Sequence, residues 1–392
     1  MTVNDSPFND PAPERTGPLA GVKVVEIVGI GPGPFAAMLL ADLGADVVRV
    51  DRPGGNALQF VAPQHDVLAR GRRSVALDLK SPQGVEVLLE LVEQADILIE
   101  GFRPGVAERL GFGPDAALAR NAALVYGRMT GWGQDGPLAQ TAGHDINYIS
   151  IAGALDPMGR RAEPAFPQNL LGDFGGGSLY LVTGVLAALT HARATGEGQV
   201  VDAAIVDGAA HLMSMAVSMQ QGGIWDGRRG TNLLGGAAPF YDVYATSDGR
   251  HVSVGPLEPQ FYADFAERLG VELPSRDDLG QWRELRAVLT ARFAEKTQAE
   301  WAEIFDGSDA CVAPVLPLTE AYEHPHNVAR GTYVDHEGLV QPAPAPRFSA
   351  TPAILTIPPA AAGTHTREAL SDWGVSDVDA LISEGVAVQR ED

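Results

Sequence analysis

Strand and helix signals alternate over the first 130 residues, and this pattern limits the fold more than any other feature of the chain. The β-branched run 22–27 predicts a buried strand, and apolar residues at helical spacing predict a helix over 35–43. A second strand is predicted over 45–50, which completes a β-α-β unit and implies a parallel sheet. Further strands are predicted over 75–79, 97–100 and 124–128, with a helix over 82–94, as in a doubly wound sheet.

The chain beyond residue 130 has a different pattern. A long apolar helix is predicted over 177–192, a strand over 199–205 and a connecting helix over 206–224. Six glycines in 222–236 indicate a boundary, two short strands around Ser247-Asp248-Gly249 predict a hairpin, and 259–306 reads as helical. The proline-rich stretch 341–346 is typical of a linker, and 366–385 predicts two short helices.

Composition excludes several classes of function. The chain has 392 residues, which suits two domains, and a net charge of −22, which argues against nucleic acid and anionic membranes as partners. The chain has a single cysteine, Cys311, which we expect to be a buried small side chain. Because one cysteine cannot form a disulfide within the chain, we expect a cytoplasmic protein. We expect no membrane span, since no run of 18 apolar residues occurs, and no secretory signal in the acidic lead-in 1–18. No His/Cys set has metal-ligand spacing, so no metal is predicted.

A glycine-rich turn after the first strand fits a dinucleotide-binding motif. Gly31-Pro32-Gly33-Pro34-Phe35-Ala36 matches G-x-G-x-x-A, and Asp51 ends the second strand at roughly the expected distance. However, two prolines remove backbone N–H groups that a pyrophosphate would need. The alternative is that these glycines only make the tight turn between strand and helix.

Basic residues concentrate in the same region. Arg70, Arg72 and Arg73 fall within four residues, and four further cations follow predicted strand ends: Arg52, Lys80, Arg103 and Arg109. Because the carboxyl ends of parallel strands meet at one edge of a sheet, these side chains could form a positive rim that holds phosphates. The alternative is a solvated loop with scattered arginines.

Three titratable residues stand in suggestive local sequences. His144 lies in Gly143-His144-Asp145-Ile146-Asn147-Tyr148, and Asp173 lies in Gly172-Asp173-Phe174-Gly175-Gly176-Gly177-Ser178. Together they could supply two bases for one substrate. Each also has a structural reading: His144 as a loop residue bonded to Asn147, and Asp173 as a helix N-cap. Glu258, before Pro259, is equally consistent with an acid at the start of a helix.

Segments spread along the chain resemble the family III CoA-transferases. The resemblance spans about residues 18–375, in the family's order and spacing. It is carried by Gly21-Val22-Lys23-Val24-Val25-Glu26, Leu43-Gly44-Ala45-Asp46-Val47, Asp51-Arg52-Pro53, Leu77-Asp78-Leu79-Lys80, Glu100-Gly101-Phe102-Arg103-Pro104-Gly105, Thr130-Gly131-Trp132-Gly133-Gln134-Asp135-Gly136-Pro137, Gly198-Gln199-Val200-Val201-Asp202 and Gly363-Thr364-His365-Thr366. Two features resemble the α-methylacyl-CoA racemase branch of the family. One is His144, at a position where transferases typically have an aromatic residue, and the other is the segment Leu257-Glu258-Pro259-Gln260-Phe261-Tyr262.

The resemblance implies a fold and replaces the dinucleotide interpretation. It implies an α/β protein whose large Rossmann-like CoA-binding domain is built from both chain ends, 1–205 and 332–392. A connecting helix over 206–224 leads to a smaller α+β domain over 225–331, and two chains form an interlocked homodimer. CoA is then part of the substrate, an acyl-CoA thioester, and no separate cofactor is expected.

The resemblance also implies the substrate-binding residues. Arg52 would lie against the adenine and Arg109 would face the phosphates. The remaining CoA-lining residues would be Leu77, Asp78, Leu79, Lys80, Gly101, Phe102 and Arg103. Around the catalytic residues, substrate contacts are expected from Gly143, Asp145 and Tyr148.

The implied chemistry is inversion at C2 of a 2-methylacyl-CoA by 1,1-proton transfer through an enolate. His144 and Asp173 would act as opposed acid and base, and Glu258 would orient His144. The ordinary pKa of an imidazole is about 6.5, so it can accept or donate a proton near neutral pH. The ordinary pKa of an aspartate is about 3.9, and it must be raised before the aspartate can also donate a proton. The N–H groups of Gly175-Gly176-Gly177, before the predicted helix, could stabilise the enolate oxygen. The alternative reaction is CoA transfer with Asp173 as nucleophile.

Overall fold

The computed structural model describes residues 16–55 and 60–391. These residues form two compact units. The first contains residues 16–55, 60–152, 168–212 and 331–391, and the second contains 153–167 and 213–330. Most of the predicted acidic lead-in, residues 1–15, lies outside the described residues.

Strands and helices follow one another along the chain as the sequence predicts for its first 130 residues. The strands are β1 Lys23–Ile27, β2 Asp46–Asp51, β3 Arg72–Leu77, β4 Ile97–Glu100, β5 Val125–Thr130, β6 Gln199–Ala204, β7 Asp242–Ala245, β8 His251–Val254, β9 Val312–Pro314, β10 Tyr333–His336, β11 Leu339–Pro342 and β12 Ala387–Val388. The α-helices are α1 Pro32–Asp42, α2 Pro82–Gln94, α3 Val106–Leu110, α4 Pro114–Arg120, α5 Asp145–Ile151, α6 Leu179–Thr195, α7 Ile205–Leu212, α8 Ser214–Gln221, α9 Pro259–Leu269, α10 Trp282–Phe293, α11 Gln298–Phe305, α12 Leu318–Ala321, α13 Pro325–Arg330, α14 Thr366–Asp372 and α15 Val378–Ser383.

A seven-stranded sheet forms the centre of the first unit, in the order β12-β3-β2-β1-β4-β5-β6. All neighbours pair in parallel except β12, which runs antiparallel to β3. The order of β1 to β6 is that of dinucleotide-binding sheets, and it reverses direction between β1 and β4. Ligands of such sheets bind in the crevice outside the strand carboxyl ends at this switch point. A ligand-binding site is therefore expected at the loops after β1 and β4.

Helices cover both faces of this sheet, because alternate residues of each strand point to opposite faces. Val24 and Val47 join a core with Leu40 of α1 and Val185 of α6. On the other face, the next residues along the strands join a core with α2 and the C-terminal helices, which includes Val25, Val48, Leu88, Leu91 and Leu370. The predicted pair of C-terminal helices thus packs onto the sheet and ends in β12, a strand that the sequence did not predict.

A π-helix at Leu170–Ser178 runs directly into α6. The sequence predicted a helix start near residue 177, so the helix begins seven residues earlier than expected. The close approach of α7 fits this backbone: a Cβ on Gly208 would lie 1.8 Å from the carbonyl oxygen of Gly176. By length and composition alone, the 26-residue helix Leu170–Thr195, with a hydropathy of 1.3, is long and apolar enough to cross a membrane. Several of its residues nevertheless pack in the core beside the sheet, among them Leu181, Val182, Val185 and Leu189.

Two helices occupy the region where the sequence predicted one connecting helix over 206–224. α7 ends at Leu212 and α8 begins at Ser214. α7 buries Ile205 and Ala209 within the first unit, whereas α8 belongs to the second unit and buries none of its residues. The helix is therefore interrupted where its packing environment changes.

The arginines at 70–73 are buried and paired, so both predictions for them were wrong. Arg70 binds Asp42 at 2.6 Å, Arg72 binds Glu26 at 2.5 Å, and Arg73 binds Asp46 and Asp372 at 2.8 and 2.6 Å. Arg70 also donates to the Gln341 side chain and the Pro342 carbonyl. Residues 341 and 342 lie in β11, which pairs with β10. The sequence predicted a linker at these positions.

The second unit contains a three-stranded antiparallel sheet in the order β7-β8-β9. β7 and β8 form the predicted hairpin around Ser247-Asp248-Gly249, and α9, α10 and α11 supply the predicted helical stretch. Aromatic side chains fill its core, including Phe265, Phe293 and Trp301. Cys311 is exposed rather than buried, because its positive φ of 52° places it in a turn where its thiol donates to the Asp309 carbonyl.

Candidate active site

Asp173 projects from the first turn of the π-helix toward the loop after β1. Gly31 of that loop has a φ of 66°, and a Cβ there would lie 2.9 Å from Asp173 Oδ2. Phe35 of α1 stacks on Phe174 at 4.4 Å, and Ser178 Oγ donates to the Pro32 carbonyl at 2.7 Å. The carboxylate is therefore held against the β1–α1 turn, at the switch point of the sheet. The glycine-rich motif thus contacts Asp173, and its glycine leaves room for the carboxylate.

The environment of Asp173 raises its pKa to about 6. Burial is the largest cause and the nearby Asp145 carboxylate is the second, while a hydrogen bond from the Asn169 side chain and the charge of His144 act in the opposite direction. A carboxyl group with a pKa near the working pH can both accept and donate a proton. This is the shift that the predicted chemistry requires of Asp173, and its cause is mainly the poorly hydrated site.

His144 belongs to the first unit, and its charge acts on this carboxylate. It occupies the N-cap position of α5 in extended conformation, and its backbone N–H donates to the Asn147 side-chain oxygen at 3.0 Å. The predicted structural bond to Asn147 is therefore made by the backbone of His144. The residue is exposed, and its charge acts on Asp173.

Aromatic packing fixes the loop that leads to His144. The Tyr148 hydroxyl donates to the Gly143 carbonyl, and the Trp132 ring meets the Tyr148 ring edge-on at 4.7 Å. A Cβ on Gly131 would lie 2.0 Å from the Tyr148 ring, so the ring occupies space that only glycine leaves open. Burial raises the pKa of Tyr148, and Asp173 adds to the effect. Tyr148 is therefore close to the catalytic candidates.

Asp145 is buried and bonds the backbone that carries Asp173. Its Oδ1 accepts the Asp173 N–H at 2.6 Å, and its carboxylate also accepts the Gly172 N–H. A Cβ on Gly172 would lie 2.1 Å from Asp145 Oδ1, so a glycine is needed there. The predicted substrate contact of Asp145 stays a prediction.

The glycine run 175–177 does not precede a helix, contrary to the sequence-based expectation. It lies inside the π-helix, in which backbone N–H groups bond carbonyls five residues earlier, as Phe174 bonds Asn169. The three glycine N–H groups are thus directed along the helix and not toward a substrate. Gly176 and Gly177 are buried, and their lack of side chains lets α7 and Pro32 approach.

The predicted CoA-lining residues follow the carboxyl ends of three strands of the sheet, β2, β3 and β4. Arg52 follows β2, Leu77 ends β3 and is followed by Asp78, Leu79 and Lys80, and Gly101, Phe102 and Arg103 follow β4. Arg109 lies in α3, after the same loop. Arg52, Lys80, Arg103 and Arg109 are all exposed. Their side chains are thus open to an anionic ligand at this edge.

Buried Glu100 supports the loop after β4. Its Oε2 accepts the Phe102 N–H at 2.6 Å, and its Oε1 lies 3.2 Å from Arg128 Nε. Burial raises the pKa of Glu100 to about 7, while the Phe102 N–H and Arg128 lower it. The conformation of the predicted CoA-binding loop therefore depends on a carboxyl group beneath it.

A cavity of about 440 Å³ opens on the same edge. Apolar side chains from the loops after β1 and β2 bound it, together with Arg49 of β2, Arg72 of β3 and Arg390, which follows β12. Its wall includes Gly31, the residue in contact with Asp173. Asp51 also lines it, but its carboxylate is engaged by Arg49 at 2.8 Å and Ser74 at 2.5 Å, so the acidic residue of the dinucleotide motif already has partners.

Glu258 lies in the second unit, at the N-cap position of α9 and directly before Pro259. It is exposed, as the structural reading of a helix-start acid predicts, and its predicted role beside His144 stays a prediction. Between residues 16 and 55 and from 60 to 391, no group of three or more His, Cys, Asp or Glu side chains is placed to hold a metal ion.

Sequence reasoning missed three residues of this site. Asn169 donates to Asp173, and Gly31 and Gly172 leave room for the two carboxylates. Asn169 and Asp173 are four residues apart, one helical turn, but that spacing is informative only once the helix start at Leu170 is known.

Comparison with known proteins agrees with this geometry. The model of the family "CoA-transferase family III" matches residues 19–366. The chain belongs to CoA-transferase family III. Within the family, it is 46% identical over 369 residues to the α-methylacyl-CoA racemase of Mus musculus, covering 93% of this chain and 95% of that protein. It is equally 46% identical over 366 residues to the Homo sapiens protein of the same name, covering 91% and 94%.

A solved structure has the same fold. The crystal structure of a CAIB/BAIF family protein from Brucella suis aligns with a TM-score of 0.81 at 26% identity, covering 92% of this chain and all of that one. The mixed α/β architecture with a large parallel sheet is therefore that of the family.

Proposed function

We propose that this protein is an α-methylacyl-CoA racemase that inverts C2 of 2-methylacyl-CoA thioesters. The observation that carries the proposal is an Asp173 carboxyl group whose pKa is raised to about 6 and on which the charge of His144 acts. The two relatives at 46% identity bear the racemase name, and they match more than nine-tenths of the chain.

The reaction needs two groups that exchange one proton each with the C2 carbon. The C2 hydrogen is weakly acidic because the thioester carbonyl takes up the electron pair as an enolate. One group removes the proton from one face, and the other returns a proton to the opposite face. Asp173 ionised with His144 protonated serves one direction, and the reverse protonation serves the other. The total number of protons on the two groups is the same in both forms, so each turnover leaves the enzyme ready for the opposite epimer.

The sheet edge supplies the features that the CoA part of the substrate requires. The exposed cations Arg52, Lys80, Arg103 and Arg109 would meet its phosphates and adenine on an otherwise acidic chain. The thioester end would lie along the β1–α1 turn, where Gly31 brings the cavity next to Asp173. The proposed substrate thus runs from charged loops to the buried carboxylate.

Glu258 and an interlocked homodimer complete the proposal. Glu258 would accept a hydrogen bond from the His144 ring and fix its tautomer. We expect Glu258→Gln to lower kcat with little change in KM. We expect light scattering on the unmodified protein to give the mass of two chains. A monomeric mass in a fully active preparation would exclude the dimer from the mechanism.

The reaction class is tested by isotope exchange. The protein is incubated with (R)- or (S)-2-methylacyl-CoA in deuterium oxide without an acceptor acid. We expect deuterium at C2 together with loss of optical purity. Absence of exchange, with CoA moving only after a free carboxylic acid is added, would show a transferase with Asp173 as nucleophile and would end the racemase proposal.

A further inference from the structure

The Asp145 carboxylate is built into the start of the π-helix. It is 9% exposed, and its Oδ1 lies 2.6 Å from the backbone nitrogen of Asp173. The Gly172 N–H donates to the same carboxylate, and a Cβ at residue 172 would lie 2.1 Å from Oδ1. The carboxylate and this turn of backbone therefore fit each other closely.

These two N–H groups are ones that a helix leaves without an internal acceptor. The first turn of a helix has unpaired N–H groups and a partial positive charge, both of which favour an anion. Asp145 satisfies two of them at the residue that carries the catalytic carboxylate and at the residue before it. Its contact thus fixes the backbone from which Asp173 projects.

The Asp145 charge also acts on Asp173. Burial raises the pKa of Asp145, and the two backbone donors lower it. Within residues 16–55 and 60–391, no ion pair involves Asp145, so its charge is not compensated by a cation there. A like charge at short range disfavours ionisation of a neighbouring carboxyl group. Of the nearby charges, that of Asp145 raises the pKa of Asp173.

Other titratable groups surround the π-helix. His144 lowers the pKa of Asp173, and the pKa of Tyr148 is itself raised by Asp173. The elements packed against the π-helix also carry Tyr126 and Arg128 on β5, Tyr180 on α6, Asp202 on β6, and Asp207 and His211 on α7. The two charges that act on Asp173 are those of Asp145 and His144.

We infer that Asp145 is a positioning residue, whose carboxylate fixes the helix turn that carries Asp173 and sets a like charge beside it. In this role it acts on the reaction through Asp173. The inference rests on the proposed function, because it concerns the proton carrier of that reaction.

The decisive variant is Asp145→Asn, which keeps an oxygen that can accept the Asp173 N–H and removes the charge. We expect the acid limb of the kcat/KM profile, measured against pH, to move to lower pH by on the order of one unit. The direction follows from the sign of the effect: removing a negative charge lowers the pKa of Asp173, so ionised Asp173 persists at lower pH. The phosphates of the substrate titrate equally with both proteins and cancel in the comparison.

Asp96→Asn is the matched control. The Asp96 carboxylate likewise accepts one backbone N–H, from Lys23 at 2.8 Å, but at the amino ends of β1 and β4, on the opposite edge of the sheet. We expect its acid limb to coincide with that of the wild-type protein. Equal shifts in both variants would mean that general destabilisation moves the limb, and would overturn the inference.

Amide hydrogen exchange on the unmodified protein gives a readout that does not depend on activity or on the folding of a variant. We expect the Gly172 and Asp173 amides to exchange at least about 10-fold more slowly than those of Leu170 and Leu171, the other first-turn amides. Equal, fast exchange at all four would overturn the positioning role.

Failure of the inference can be told from failure of the proposed function. If Asp173→Asn no longer racemises the substrate while Asp145→Asn keeps the wild-type acid limb, the racemase proposal stands and the role of Asp145 is wrong. If Asp173→Asn still racemises the substrate, the proposed function is wrong and the inference falls with it.

Discussion

Two groups of basic residues in the first unit have opposite environments. Arg70, Arg72 and Arg73 are clustered in sequence, lie at and just before the amino end of β3, and are buried against carboxylates. Arg52, Lys80, Arg103 and Arg109 are scattered in sequence, follow strand carboxyl ends, and are exposed. Position relative to the sheet, and not clustering along the chain, therefore separates structural cations from those available to a ligand.

The two groups differ in what their charges do. A buried cation must be paired, because desolvation of an isolated charge is very unfavourable. Arg72 and Glu26 are each 1% exposed, and burial lowers the pKa of Arg72 and raises that of Glu26. The exposed group carries no such requirement and can exchange water for phosphate. Substitutions in the two groups should consequently affect different quantities.

The largest effect is expected at the buried pair. Arg72→Met leaves the Glu26 carboxylate without its partner in the core, so we expect the free energy of unfolding to fall by about 3–5 kcal/mol. Urea denaturation followed by circular dichroism measures it. The double variant Glu26→Leu/Arg72→Met removes both charges and should recover most of the loss. A single variant as stable as the wild-type protein would contradict the buried pairing.

An intermediate effect is expected at the exposed cations, and on binding. Arg109→Ala and Arg103→Ala each remove a charged donor to the CoA phosphates, so we expect Kd for CoA to rise by about 10- to 100-fold. Stability should change by less than about 0.5 kcal/mol, as for other surface positions. Calorimetric titration with CoA at fixed salt tests this prediction. Unchanged Kd in both variants would remove these arginines from the binding site.

The smallest effect is expected at Arg120, an arginine that belongs to neither group. It pairs with Glu86 and Glu93 at 2.8 and 2.6 Å on the surface, before the amino end of β5. We expect Arg120→Ala to lower stability by less than about 1 kcal/mol and to leave Kd for CoA unchanged. A rise in Kd equal to that of Arg109→Ala would mean that net charge, and not position at the carboxyl edge, governs binding.

Local patterns predicted most of the fold because they are set by neighbouring residues. The β1-α1-β2 unit and the hairpin of β7 and β8 follow from apolar periodicity and turn residues, and the structure has both. The π-helix and the pairing of Arg70 with Asp42 and Gln341 depend on contacts between distant segments. No local rule specifies which carboxylate will meet which arginine in the core.

The candidate site shows the same division. His144 and Asp173 were found from local sequence and family resemblance. In the structure, the charge of His144 lowers the pKa of Asp173. The enolate role expected of Gly175-Gly176-Gly177 was lost because the helix begins before them. The fit of Gly31 and Gly172 around two carboxylates required the three-dimensional arrangement, since each glycine serves a residue far from it in sequence or on another element.

The central claim is that two residues, His144 and Asp173, serve opposite faces of the same carbon. It is tested most directly by following each pure epimer of a 2-methylacyl-CoA in deuterium oxide with His144→Gln and Asp173→Asn. We predict that each variant loses racemisation, yet still exchanges the C2 hydrogen of one epimer with retention, and that the two variants exchange opposite epimers. Interconversion of the epimers by either variant at a rate near that of the wild-type protein would contradict the two-base account.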